Sequence, residues 1–334
     1  MYQPSIDLAG EVCFNPNFWQ TKTRINYLIN QYLSNQELSD RLEDLPDQFR
    51  HCQPRKWSSI NWQDINSEQV IGLELEIFLL IIKGILVTEA PIRALTQTSK
   101  QYLEQICPSI AKLVGGISDQ GGKIIELGLW ELEKSQHKPA LSKIYQQLSQ
   151  QKISWLNLQR AKSYQPKINP YQDLYRHGLE QVTDKCVVVC LYLWLMAHTT
   201  GTLQKVLGEL LQDEINHLGK FWGVGMWLYP EGAEQLICSI LSQINTFLTV
   251  SYRTSSNHEL QPKSTWHSLM TALFWQLCPL SLKGELIYTF FWTLKRIWQW
   301  SSQLTPEYLH SCCATPEFFG NNDVECHQPE IIII

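Results

Sequence analysis

Between Ser67 and Leu228 the turn-forming residues cut the chain into four stretches of helical pattern, each too long to be a strand. The spacing predicts helices over about Ser67–Ser99, Lys123–Gln150, Tyr171–His198 and Leu203–Leu228. A shorter piece runs from Gln101 to Leu113. Gly115, Gly116, Gly121 and Gly122 mark a loop, Thr199–Thr202 a tight turn, and Pro230 with Gly232 the end of the fourth helix. Pro91 and Pro139 fall inside helical pattern and should bend it. Paired strands, βαβ alternation and a Gly-rich phosphate loop are all missing from the pattern. The expected fold is all-α, with a four-helix core over 66–230. A helical N-terminal extension over 1–65 contains the amphipathic stretch Lys22–Leu42, followed by Pro46 and Pro54. C-terminal helices over 231–318 (Glu234–Tyr252 and Thr265–Leu304) pack on the core, and 319–334 form an irregular tail.

Several function classes are disfavoured by composition. A formal net charge of −5 leaves no basic footprint for nucleic acid. The apolar run Val70–Val87 approaches the length of a membrane span, but it carries Glu74, Glu76 and Lys83, which are costly in a bilayer. A buried helix, and no membrane span, is expected there. The ten cysteines are irregularly spaced and include no CxxC pair, and Met1–Val12 lacks the pattern of a secretory signal. Reduced thiols and a cytoplasmic location are therefore expected. The 13 tryptophans suit wide helix–helix interfaces.

The chemistry rests on Glu214 and His217 in Asp213-Glu214-Ile215-Asn216-His217. Three residues turn a helix through about 300°, so both side chains leave the same face and can hold one metal ion. Alone the motif is weak, since Glu307 and His310 repeat it by chance. Glu180 precedes Glu214 by 34 residues across the Thr199–Thr202 turn, a separation expected to bring the two to one level of an antiparallel pair. Glu89 is preferred to Glu74 on the first helix, with a salt bridge to Arg93 as its alternative role. On the second helix Glu133 and His137 share a face. His177 is a further nitrogen near Glu180. The Tyr192, Trp194 and Met196 stripe is read as core, or else as a channel wall.

The runs Leu179–Thr183, Gln212–His217, Val87–Ala90 and Trp130–His137 resemble the four ligand helices of the ferritin-like di-iron carboxylate proteins, the acyl-carrier-protein desaturases above all. The resemblance covers about 150 residues, Ile71 to Tyr229. It implies a metal site of Glu89, Glu133, His137, Glu180, Glu214 and His217, holding two iron ions or one, with manganese as an alternative. Asp213 would orient a ligand histidine. An oxidase, oxygenase or desaturase-like activity on an apolar or carrier-bound substrate would follow, with an electron-donor protein and, as one assembly, a homodimer. One departure stands out. The family has Glu three residues before the second-helix histidine, where this chain has Lys134. Turned inward, its ammonium would replace a metal electrostatically, and the chain would be a metal-free ferritin-like scaffold for interaction or assembly.

Overall fold

The computed structural model describes residues 16–89, 92–104, 108–119, 121, 123–151, 170–228 and 279–305, with a few positions between 234 and 242. Among these the chain is mostly helical. The helices are α1 (Phe18–Tyr32), α2 (Asn35–Glu43), α3 (Leu45–Arg50), α4 (Leu75–Glu89), α5 (Ile92–Glu104), α6 (Pro108–Gly115), α7 (Leu129–Ser149), α8 (Pro170–Ala197), α9 (Gly201–Leu228) and α10 (Leu280–Ser301). The tail, most of the expected 234–252 and 265–278 helices, and Glu307 with His310 lie outside the described residues.

Local chemistry sets the element boundaries. Asn17 and Gln20 form a capping box that starts α1. Ser34 accepts from the Glu37 amide and starts α2, so the amphipathic stretch Lys22–Leu42 spans two helices. The helix expected from Ser67 starts only at Leu75, since Ser67–Gln69 form a 3-10 turn ahead of it. Its described parts are α4 (Leu75–Glu89) and α5 (Ile92–Glu104), and Pro91 lies outside the described residues. Pro139 is carried inside a continuous α7.

The expectation of a strand-free chain is corrected between α6 and α7. There β1 (Ile117–Ser118) pairs antiparallel with β2 (Ile124–Glu126). Gly116 makes this hairpin fit. Its φ is +73°, and a Cβ there would lie 1.9 Å from the Glu126 carbonyl oxygen.

Helices α8 and α9 form a long antiparallel pair and supply the densest part of the core. Their connection is short. Arg24 donates through Nε to the Ala197 carbonyl at 2.7 Å and through Nη2 to the Thr199 carbonyl at 2.6 Å, satisfying acceptors left over where α8 ends. Residues ahead of α4 add backbone bonds, Ile71 N–H to His198 O and Thr200 N–H to Gln69 O, both at 2.9 Å. Helix α7 packs on α4, α5, α6 and α9, while α10 packs on α8, α1 and α2. Tyr192, Trp194 and Met196 are buried within this core. No described helix is long and apolar enough to cross a membrane.

Candidate functional site

Four helices carry charged side chains into the centre of the core. Glu89 is the last residue of α4. Lys134 and His137 stand one turn apart on α7, as do Glu214 and His217 on α9, and Lys185 enters from α8. All six are buried. The Lys134 ammonium makes close contacts with both Glu89 Oε1 and Glu214 Oε1. Lys185 Nζ donates to the other oxygen of Glu214 at 3.0 Å. His137 Nδ1 lies 3.4 Å from Glu214 Oε1 and 3.8 Å from Glu89 Oε1, out of line for a hydrogen bond. Its Nε2 is 3.2 Å from Asp213 Oδ2.

Glu133 and His217 lie beside this centre. His217 Nε2 is 2.8 Å from Glu133 Oε2, again poorly aligned, and its Nδ1 is 3.6 Å from Glu214 Oε2. Glu133 is satisfied by Asn216 Nδ2, 3.1 Å from each carboxylate oxygen, and by the Arg55 backbone N–H at 3.1 Å. Of the residues expected at a metal, Glu89, His137 and Glu214 therefore converge, whereas Glu133 and His217 pair at the flank.

Glu180 requires a correction: it is exposed on α8 and is not among the residues gathered here. The chain reverses at Thr199–Thr200, so the residue level with Glu214, fourteen after Thr200, is Lys185, fourteen before Thr199. Glu180 lies five residues further down α8, about 7.5 Å away along the axis. Glu74 is exposed as well, and the His177 side chain lies outside the described residues. Arg93, the alternative partner for Glu89, instead donates to Glu131 Oε1 at 2.7 Å.

Sequence reasoning also missed a strap. Residues between α3 and α4, without regular structure near Arg55, reach α9 beside the cluster. Arg55 Nε donates to Asp213 Oδ1 at 2.9 Å, its Nη1 to Glu209 Oε2 at 2.5 Å and its Nη2 to the Glu209 carbonyl at 2.7 Å. Trp57 Nε1 donates to Asp213 Oδ2 at 2.9 Å, and the Ser58 amide to Glu209 Oε1 at 3.0 Å. The one available signal was Glu209, a carboxylate one turn before Asp213 in an apolar helix, which needs a cation from elsewhere in the chain.

These contacts override what burial alone would do to the titrations. Burial raises the carboxyls of Glu89, Glu133 and Glu214. The Lys134 ammonium reverses this at Glu89, held at about 2, and Lys134 with Lys185 reverses it at Glu214; the His217 ring does so at Glu133. Burial and Lys134 depress His137, but its carboxylate contacts with Asp213, Glu214 and Glu89 outweigh them and push it up to about 10. The carboxylates thus contribute stability that is full above the ordinary value of 4.5 and lost as pH falls toward about 2. His137 contributes stability that is full below its ordinary 6.5 and lost as pH rises through about 10. A thermal melt series should therefore peak between about pH 4.5 and 6.5 and decline on both sides. A midpoint that stays flat between pH 7 and 10 would show His137 neutral in the folded protein.

One ligand atom each from Glu89, His137 and Glu214 lie within 4.8 Å of one another, the making of a three-ligand metal site. A two-metal bundle uses four carboxylates and two histidines. Here the ammonium groups of Lys134 and Lys185 sit on the carboxylates of Glu89 and Glu214. No protein-family model, curated protein or solved structure matches the chain.

Proposed function

We propose that the chain is a ferritin-like helical scaffold that has exchanged its metal centre for an internal ion network, and that it works by binding a partner rather than by activating dioxygen. The observation that carries this reading is the Lys134 ammonium seated between Glu89 and Glu214. Charge arithmetic supports it. Exchanging two glutamates for two lysines changes the local charge by four units, equal to the charge of two divalent cations. A core designed around two metal ions would remain electrically balanced after that exchange, at Lys134 and Lys185, without them. The strap residue Arg55 balances Asp213 and Glu209 in the same way. Buried ion networks of this kind fix one arrangement of helices better than they add net stability.

A second reading is favoured by the convergence of Glu89, His137 and Glu214, and by Glu89 Oε2, buried without a hydrogen-bond partner. In that reading a single metal ion is held by these three residues, with Lys134 swung aside. Loading the protein anaerobically with ferrous iron, then desalting, separates the two. The scaffold reading expects iron far below one per chain and an unchanged melting midpoint. One or two iron ions per chain, removed by Glu214→Ala, would overturn it in favour of metal chemistry.

A further inference from the structure

Helix α10 buries one face against α8, α1 and α2, yet its opposite face is also apolar. Leu280, Ile287, Phe291 and Trp298 are 85, 40, 60 and 41% exposed. At about 100° per residue they fall within a stripe roughly 40° wide. Such a narrow stripe is the seam of a helix–helix contact; a helix lying on a lipid surface needs a broader apolar face, about 100° or more. The described residues of α10 include one acid, Glu285, and it is buried against His198. Lys283 and Lys295 flank the seam on opposite sides, about 60° from it.

The order of the four residues identifies the occupant. Their spacings are seven, four and seven, which read the same in both directions. Two copies of α10 laid antiparallel about a two-fold axis beside Thr289 would set Leu280 against Trp298 of the second copy and Ile287 against Phe291 of the second copy. Each pair joins an aliphatic to an aromatic side chain, and every member of the seam gains a partner. An isologous interface requires this self-complementarity.

We propose that the exposed face of α10 is the seam of a homodimer, paired antiparallel with the α10 of a second copy. It rests on the surface of α10 alone and is independent of how the buried cluster is charged. The four side chains make a contact smaller than the roughly 800 Å² per partner of a standard interface, so the dimer is expected to be weak.

Sedimentation velocity of the full-length protein over about 1–200 µM should show a monomer–dimer equilibrium, with half association at about 10–100 µM. Phe291→Glu and Ile287→Glu should each remain monomeric throughout, with unchanged circular dichroism, since both positions are exposed. The register is tested by mixing Ile287→Glu protein with Phe291→Lys protein. The antiparallel seam predicts that the mixture dimerises although neither variant does alone. A wild-type protein that is monomeric at 200 µM would overturn the proposal. So would a dimer indifferent to Phe291→Glu, or one rescued only by mixing Ile287→Glu with Ile287→Lys, which is the parallel register. Binding of the monomer to anionic phosphatidylserine vesicles, lost in Phe291→Glu, would reassign the face to a lipid surface.

Discussion

On the scaffold reading, the double variant Lys134→Glu/Lys185→Glu is expected to make the protein's stability depend on metal. The substitutions put carboxylates at two positions whose side chains already meet Glu89 and Glu214. Glu89, Glu214 and the two introduced carboxylates would then gather beside His137, with Glu133 and His217 at the flank, close to the donor set of a two-metal bundle. Without metal the variant should be far less stable than the wild type, because like charges crowd a buried site from which Lys134 and Lys185 have been removed. With ferrous or manganous ion at about a thousand times its dissociation constant, binding to the folded state alone returns about 4 kcal/mol. In a chain of this size that raises the melting midpoint by on the order of 10 °C, whereas the wild type should not respond. A folded double variant whose melt ignores both ions would show that the four helices do not present ligand geometry, and the ferritin-like reading would fail with it.

The broad architecture was legible because helical periodicity is a local signal. The stretches read as Tyr171–His198 and Leu203–Leu228 correspond closely to α8 and α9, while the one read as Lys123–Gln150 becomes α7 only from Leu129, its first turn giving way to β2. The Glu214 and His217 pair was legible for the same reason, since one turn of helix fixes which residues share a face. What failed was register between helices. Choosing Glu180 assumed a turn centred near residue 197, and a shift of a few residues in that centre replaced a carboxylate with the ammonium of Lys185. Lys185, one residue before the apolar run Cys186–Ala197, was the overlooked clue, because a buried ammonium needs a carboxylate at its own level. Arg55 could not have been placed at all. It lies in an irregular segment, and its partners Asp213 and Glu209 are more than 150 residues away. The β1–β2 hairpin was hidden by its length: strands of two and three residues have no period to detect.

Lys134→Met is expected to be the most destabilising single substitution at the centre. Methionine occupies a similar volume, so the change removes charge with little loss of packing. Glu89 loses its ammonium partner and, among the described residues, keeps the poorly aligned His137, while Glu214 retains Lys185 at 3.0 Å. Removing one partner from a buried ion pair typically costs about 3–5 kcal/mol, because the surviving charge remains desolvated and uncompensated. The carboxyl of Glu89 should respond by titrating upward from about 2, so the deficit should shrink as pH falls and Glu89 takes up a proton. Adding Glu89→Leu to Lys134→Met should recover most of the loss, since an apolar pair in place of a buried ionic one is often neutral or stabilising. Urea unfolding of the three proteins at two pH values measures both effects. A loss below about 1 kcal/mol in Lys134→Met would place its contacts in the class of solvent-screened surface pairs. The helices would then be held by packing alone, and the ammonium between Glu89 and Glu214 would not be the structural substitute for a metal on which the scaffold reading depends.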